Sequence, residues 1–73
     1  MNVSILGCGV FGLAIATTLL NNNINVKMWN KFQKEIDNIK DHYKDITFST
    51  NLETTTNNSD LIIIAIPVNG APA

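Results

Sequence analysis

Three glycines near the N-terminus, Gly7, Gly9 and Gly12, have the G-x-G-x-x-G spacing of a turn that can hold a diphosphate against the main chain. In such a turn the first glycine permits a tight bend, the second lets a pyrophosphate approach the backbone, and the third allows a helix to pack closely. The N–H groups near Val10 and Phe11 would then lie at a helix N-terminus, where unpaired donors favour an anion. The alternative is that the glycines serve only a tight join between a strand and a helix.

The segments on both sides of the glycines are those that a dinucleotide-binding turn requires. Asn2–Leu6 is short and apolar, which predicts a buried strand, and Asn25–Trp29 is predicted to be a second strand. The residues that recur at helical spacing between them are Phe11, Ala14, Ile15, Thr18 and Leu19, and the small side chains of Ala14 and Ala16 would allow close packing on a sheet. We therefore interpret the turn as the phosphate-binding part of a Rossmann fingerprint.

The end of the second strand lacks the carboxylate that usually binds the ribose 2′-OH about 20 residues after the glycines. Asn30 and Lys31 occupy this place, and Glu35 and Asp37 are expected to lie too far into the following helix. Asn30 can still hydrogen-bond a hydroxyl, and Lys31 can pair with a 2′-phosphate, which favours NADP or the use of both NADP and NAD. The alternative is that Lys31 is simply solvated.

The middle of the chain predicts a second helix, a third strand and a third helix. The apolar face of the second helix is formed by Phe32, Ile36, Ile39 and Tyr43. Ile46–Ser49 is predicted to be a brief strand. Thr50 and Glu53 match a capping box, which predicts a short helix that extends to about Asn57.

The run Leu61–Ile66 is the strongest strand signal, and its continuous β-branched composition predicts burial on both faces, as in a central parallel strand that ends at Pro67. Strands that alternate with helices predict an α/β fold with a parallel sheet. We expect a truncated Rossmann-type doubly wound parallel sheet of about four strands in the order 3-2-1-4. This order would leave the last strand as an open apolar edge.

The composition argues against several classes of protein. A chain of 73 residues with a net charge of −1 has no basic footprint for nucleic acid. The single cysteine, Cys8, excludes an internal disulfide and fits a reducing compartment, and one histidine with one cysteine cannot form a zinc site. No signal peptide is visible, and the run Leu61–Ile66 is too short to cross a bilayer. We therefore predict a cytoplasmic protein with no membrane span and no metal.

Two stretches resemble the N-terminus of bacterial NAD(P)-dependent glycerol-3-phosphate dehydrogenase. In "ILGCGVFGLAIATTLLNNNINVKMWNK", Phe11 matches the bulky aromatic residue before the third glycine, Trp29 matches the end of the second strand, and Lys31 stands where a basic residue contacts the nucleotide. The stretch "STNLETTTNNSDLIIIAIPV" is similar to the family's helix start and following apolar strand. The departures are Asn30 in place of glycine and Val68 in place of serine.

The resemblance implies the reduction of dihydroxyacetone phosphate to sn-glycerol 3-phosphate for phospholipid synthesis, with NADP or NAD as cofactor and NAD(P)H as the partner of this chain. It implies a cofactor site formed by Gly7, Gly9, Val10, Phe11, Gly12, Asn30, Lys31 and Pro67. The family's catalytic lysines lie later in its sequence and match none of the five lysines here. The substrates, glycerol phosphate or dihydroxyacetone phosphate, would therefore bind only in a full-length enzyme, for which a homodimer is compatible with the resemblance.

The expected domain organisation follows from where the resemblance ends. Residues 1–68 are expected to be the N-terminal part of an NAD(P)-binding Rossmann domain, and residues 69–73 a disordered tail or scar. The chain would then be a truncated, inactive piece of the enzyme. The alternatives are a non-catalytic NAD(P)-binding module, or a fragment of a related reductase of the hydroxyacid dehydrogenase or pyrroline-carboxylate reductase type.

Overall fold

The computed structural model describes residues 1–66, so the predicted cofactor contact of Pro67 and the predicted tail 69–73 lie outside the described residues. Strands and helices alternate along the chain. The elements are β1 (Asn2–Leu6), α1 (Val10–Asn21), β2 (Asn25–Trp29), α2 (Gln33–Ile39) with a 3₁₀ turn at Lys40–His42, β3 (Thr47–Ser49), α3 (Leu52–Thr56) and β4 (Leu61–Ile64).

The four strands form one parallel sheet in the order β3-β2-β1-β4. In the register of the sheet, Ile5 of β1 lies opposite Met28 of β2 and Ile63 of β4. The α/β class and the parallel direction are therefore as the alternating sequence pattern predicts, and the strand order 3-2-1-4 is as expected for a Rossmann-type sheet.

The main core lies between the sheet and α1, where Val3, Ile5, Val26 and Met28 are almost fully buried. Burying one side chain of this size contributes about 1.5–3 kcal/mol. The buried residues of α1 are Gly12 and Ala16, whereas Phe11, Ala14 and Thr18 are exposed. The predicted buried face of this helix is therefore partly wrong: its fully buried residues are its smallest ones, while Leu13, Ile15, Leu19 and Leu20 are half-buried and pack against the core beside them.

The opposite face of the sheet is more polar and carries α3. The hydroxyl of Ser4 is fully buried, donates to the carbonyl oxygen of Thr55 and forms a hydrogen bond with the hydroxyl of Ser59. Lys27, which lies beside Ser4 in the sheet, donates from Nζ to the carbonyl oxygen of Asn57 at 3.2 Å. A cation is favourable at this position because the last carbonyl groups of a helix carry partial negative charge.

The third helix is capped differently from the prediction. Asn51, not Thr50, is the N-cap residue, and its Oδ1 accepts from the backbone N–H of Thr54 at 3.0 Å. The predicted capping box of Thr50 and Glu53 is therefore wrong: the N-cap is one residue later, and the backbone N–H of Asn51 donates to Oγ of Ser49. Thr50 instead uses its carbonyl oxygen, which accepts a 2.8 Å hydrogen bond from Nε1 of Trp29.

The last described strand, β4, ends at Ile64 instead of the predicted Ile66 and pairs within residues 1–66 with β1 alone. Its side chains are largely exposed, with fractions of 47% at Leu61, 46% at Ile62 and 68% at Ile64. The predicted burial on both faces is therefore wrong for the described residues. The expected apolar edge is observed, because only one neighbouring strand protects β4.

Candidate functional site

The glycine turn lies at the carboxyl end of β1, between the ends of β2 and β4. The chain passes from β1 to β2 on one side, whereas β4 returns to the other side of β1. The position between two such connections is the switch point at which open parallel sheets bind ligands. The order of the strands therefore places the glycines where a ligand site is expected.

Gly7 makes the tight bend at the start of this turn. Its φ angle is +113°, a conformation that side chains other than glycine rarely adopt. Its N–H donates a 2.7 Å hydrogen bond to the carbonyl oxygen of Trp29, and a Cβ atom here would lie 2.9 Å from the carbonyl oxygen of Ala65. The turn is therefore fixed against both neighbouring chain segments.

Gly12 lies in the first turn of α1, where the helix meets the glycine turn. A Cβ atom on Gly12 would lie 2.5 Å from the carbonyl oxygen of Gly7 and 3.2 Å from Cε of Met28. The absence of a side chain therefore sets how closely α1 approaches both the turn and β2.

Gly9 is the N-cap residue of α1 and differs from the other two glycines. A Cβ atom on Gly9 would meet no atom within 4 Å, so no neighbour among the described residues requires a glycine here. The space beside its backbone is open, so the bare main chain at Gly9 is accessible from this side.

The first turn of α1 presents backbone N–H groups beside Gly9 that have no partner within the helix. Gly9 provides no side-chain cap, the first turn contains no acidic residue, and Val10 and Phe11 are 88% and 68% exposed. The first N–H groups of a helix have no partner within the helix and carry partial positive charge. The structure thus brings the predicted residues Gly7, Gly9, Val10, Phe11 and Gly12 together into one anion-attracting turn.

Asn30 directly follows β2, and its side chain is held by two hydrogen bonds. Its Nδ2 donates to the carbonyl oxygen of Phe32 at 3.2 Å and to Oε1 of Glu35 at 3.0 Å. Its backbone N–H donates to the carbonyl oxygen of Ser49 at 3.1 Å. Asn30 is therefore fixed next to the strand end that contacts Gly7.

Sequence reasoning missed Glu35, which it placed too far into the second helix. Because α2 begins only at Gln33, Glu35 lies in its first turn and its carboxylate reaches back to Asn30. No sequence signal indicated this contact, because it depends on where α2 begins and on the extended backbone of Phe32 before it.

Lys31, the remaining predicted contact among the described residues, is exposed at the same edge of the sheet. Its Nζ lies 5.7 Å from the centre of the Phe32 ring. A cation at this distance is weakly attracted by the face of the ring. The lysine therefore lies next to Asn30 with its charge accessible to solvent.

Cys8 lies within the glycine turn but is buried, with 7% of its surface exposed. Burial raises the pKa of its thiol, and the negative charge of Glu35 raises it further. A nucleophilic or redox-active cysteine needs a lowered pKa and access to solvent. Cys8 therefore serves as a small apolar side chain of the core.

Two other features of the described residues bear on function. No helix within residues 1–66 is long and apolar enough to cross a membrane. In the same part of the chain, no three histidine, cysteine, aspartate or glutamate side chains come together to hold a metal ion.

A parallel sheet in the order 3-2-1-4, with a glycine turn at the switch point that opens a helix, defines a Rossmann-like α/β protein. The family model described as "NAD-dependent glycerol-3-phosphate dehydrogenase N-terminus" matches residues 2–72. The chain belongs to this family.

Curated relatives agree with the family model. The chain is 31% identical over 77 residues to glycerol-3-phosphate dehydrogenase (NAD(P)+) of Agathobacter rectalis, which covers 89% of this chain and 23% of the relative. It is 34% identical over 77 residues to the enzyme of the same name from Staphylococcus carnosus, and this match covers 89% of the chain and 23% of the relative. The chain is 33% identical over 79 residues to the enzyme of the same name from Macrococcus caseolyticus, and this match covers 92% of the chain and 24% of the relative.

The chain spans about a quarter of the length of these curated relatives, 23% to 24%. No solved structure matches the chain significantly.

Proposed function

We propose that this chain forms part of the NAD(P)H-binding half of a glycerol-3-phosphate dehydrogenase that reduces dihydroxyacetone phosphate to sn-glycerol 3-phosphate for phospholipid synthesis. The family membership of residues 2–72 supports the class of enzyme. The observation that carries the cofactor assignment is the open space beside Gly9 at the uncapped N-terminus of α1. A diphosphate there gains hydrogen bonds from the main chain and a favourable interaction with the helix dipole.

Each predicted site residue has a role in this proposal. Gly7 and Gly12 shape the turn, Gly9 admits the diphosphate, and the N–H groups of Val10 and Phe11 bind its oxygens. NADH or NADPH supplies the hydride for the reduction.

The remaining contacts bind the adenosine end of the cofactor. Asn30 and Lys31 lie at the ribose end of the site, and Pro67, which is outside the described residues, is the proposed contact beyond β4. None of the residues in this chain is assigned a chemical step, because the residues that bind the substrate and transfer protons belong to the rest of the enzyme.

The cellular setting is also part of the proposal. The free thiol of Cys8 is compatible with a reducing compartment, and we assign the protein to the cytoplasm. The substrates, dihydroxyacetone phosphate and glycerol phosphate, and a homodimeric assembly are proposed for the full-length enzyme.

The substitution Gly9→Val tests the cofactor site. A valine side chain fits the fold, because nothing lies within 4 Å of its Cβ position, but it occupies the space proposed for the diphosphate. We expect the affinity for NADH to fall by more than about tenfold in a fluorescence titration of the full-length protein, since charge-assisted hydrogen bonds are lost. Circular dichroism should remain unchanged.

Thr17→Val is the matched control, since it introduces the same side chain at an exposed position of the same helix. It should leave the affinity for NADH within about twofold of the unsubstituted protein. Full retention of NADH binding by a folded Gly9→Val protein would contradict the proposed position of the diphosphate.

A further inference from the structure

The amide of Asn30 has a fixed orientation. An asparagine side chain carries two N–H donors, on Nδ2, and one carbonyl acceptor, Oδ1. Both donors are used, toward the carbonyl oxygen of Phe32 and toward Oε1 of Glu35. The reversed amide would place Oδ1 against these two acceptors, so the observed orientation is the only one that satisfies the hydrogen bonds. Oδ1 is then the polar atom of this side chain that has no hydrogen bond within residues 1–66.

Asn30 lies where the adenosine ribose of a bound dinucleotide is expected. The carbonyl oxygen of Trp29, the residue before Asn30, accepts the hydrogen bond from Gly7 at the glycine turn. In a Rossmann site the diphosphate lies at this turn and the ribose next to it reaches the end of the second strand. The hydrogen bond from Asn30 to Ser49 fixes the backbone at that position.

We infer that Asn30, held by Glu35, presents an acceptor oxygen to the ribose 2′-OH and thereby makes the site select NADH over NADPH. This inference rests on the proposed function. A 2′-hydroxyl can donate a hydrogen bond to Oδ1, whereas a 2′-phosphate, which is largely dianionic at neutral pH, carries acceptor oxygens instead. The phosphate would also lie close to the carboxylate of Glu35. Asn30 thus reproduces with a neutral amide the hydrogen bond that a carboxylate makes in other NAD sites.

Glu35 acts through Asn30 and is a positioning residue. Its carboxylate accepts one of the two Nδ2 hydrogens and so prevents the amide from turning its donors toward the ligand. Lys31 favours NADPH over NADH, because its positive charge would attract a 2′-phosphate. Its Nζ lies by the ring of Phe32, and exposed lysine charges contribute little to ion pairs.

The test measures dissociation constants of the full-length protein for NADH, NADPH and the NADH analogue that lacks the adenosine 2′-OH. We expect NADH to bind about fivefold or more tightly than both of the others, the difference that one hydrogen bond makes. In Glu35→Ala one of the two hydrogen bonds that orient the amide of Asn30 is lost, leaving only the one to the carbonyl oxygen of Phe32, and the negative charge near the ribose is removed, so the difference between NADH and NADPH should fall below about twofold. In Glu35→Gln, Oε1 can still accept from Asn30, and the effect of the 2′-OH should persist.

Asp37→Ala is the control for the loss of a carboxylate from α2, because Asp37 interacts with Gln33 and Lys40 instead of Asn30. It should leave the ratio of the three dissociation constants unchanged. A protein that binds NADPH as tightly as NADH, or a folded Glu35→Ala protein with an unchanged ratio, would overturn the inference while leaving the proposed function intact.

Failure to bind any of the three dinucleotides would overturn the proposed function and this inference with it. If Glu35→Ala does not fold, the comparison of NADH with its 2′-deoxy analogue in the unsubstituted protein still tests whether an acceptor binds the 2′-OH. Equal affinities there would show that no acceptor reads the 2′-OH.

Discussion

The carbonyl oxygen of Gly7 lies 2.5 Å from the position that a Cβ atom would take on Gly12. Gly7 cannot easily move away, because its φ of +113° and its hydrogen bond to Trp29 fix the turn. The first and third glycines of the motif are therefore coupled: the bend made by one is possible only while the other has no side chain. The middle glycine, Gly9, is free of this constraint.

This coupling predicts different effects of alanine at two glycines of the turn. Gly12→Ala should lower the free energy of unfolding by about 3 kcal/mol, because the added methyl group overlaps a backbone oxygen that cannot relax. Gly9→Ala is the matched control and should change it by less than about 1 kcal/mol. Urea denaturation followed by circular dichroism measures both values. Equal stabilities of the two variants would show that the turn can adjust to a side chain at Gly12.

Lys31→Ala should weaken the binding of NADPH more than that of NADH. The lysine is the cation next to the proposed ribose position, and the loss of one exposed charge should raise the dissociation constant for NADPH by about two- to fivefold. Isothermal titration calorimetry at low salt measures the change. Lys34→Ala is the control, since it removes an exposed lysine that lies within α2. Equal losses for both cofactors in Lys31→Ala would mean that Lys31 does not contact a 2′-phosphate.

The buried thiol of Cys8 predicts a loss of stability at alkaline pH. An unfolded cysteine ionises near pH ~8.5, but the raised pKa of Cys8 in the folded chain keeps its thiol protonated there. The unfolding free energy should therefore be unaffected by this group below about pH 8.5 and should decrease as the pH rises toward the higher pKa of the folded state. Cys8→Ala should show a smaller decrease over the same range. Identical pH profiles would argue against a buried, neutral thiol.

The cap of α3 predicts which of two neighbouring polar residues stabilises this helix. Asn51→Ala removes the acceptor for the N–H of Thr54 and should lower the free energy of unfolding by about 1 kcal/mol. Thr50→Ala leaves the backbone carbonyl that accepts from Trp29 in place and should have little effect. Thermal unfolding of both variants makes the comparison. A larger effect of Thr50→Ala would restore the capping box predicted from the sequence.

Local patterns predicted the elements better than they predicted the buried faces. The regular apolar spacing in α1 included Phe11, which is 68% exposed, whereas the fully buried residues of the helix are Gly12 and Ala16. Hydrophobicity alone favours large side chains in a core. At Gly12, however, a Cβ atom would already lie 3.2 Å from Cε of Met28, so α1 approaches the sheet too closely there for a large side chain, and this distance is a property of the assembled fold.

For the strand β4, too, the element was predicted correctly but its burial was not. Its β-branched run correctly predicted a strand, but burial depends on which elements cover it, and among residues 1–66 only β1 lies beside it.

The sequence by itself determined the glycine turn, the alternation of strands and helices and, through the Rossmann-type fold that the turn and the alternation indicate, the parallel sheet in the order 3-2-1-4. These follow from residue spacing and from local chain stiffness, which a linear sequence contains. Only the tertiary structure decided that Gly9 faces open space and that Glu35 holds the amide of Asn30. Such relationships depend on where separate segments meet, and that is fixed by the packing of α1 and α2 against the sheet.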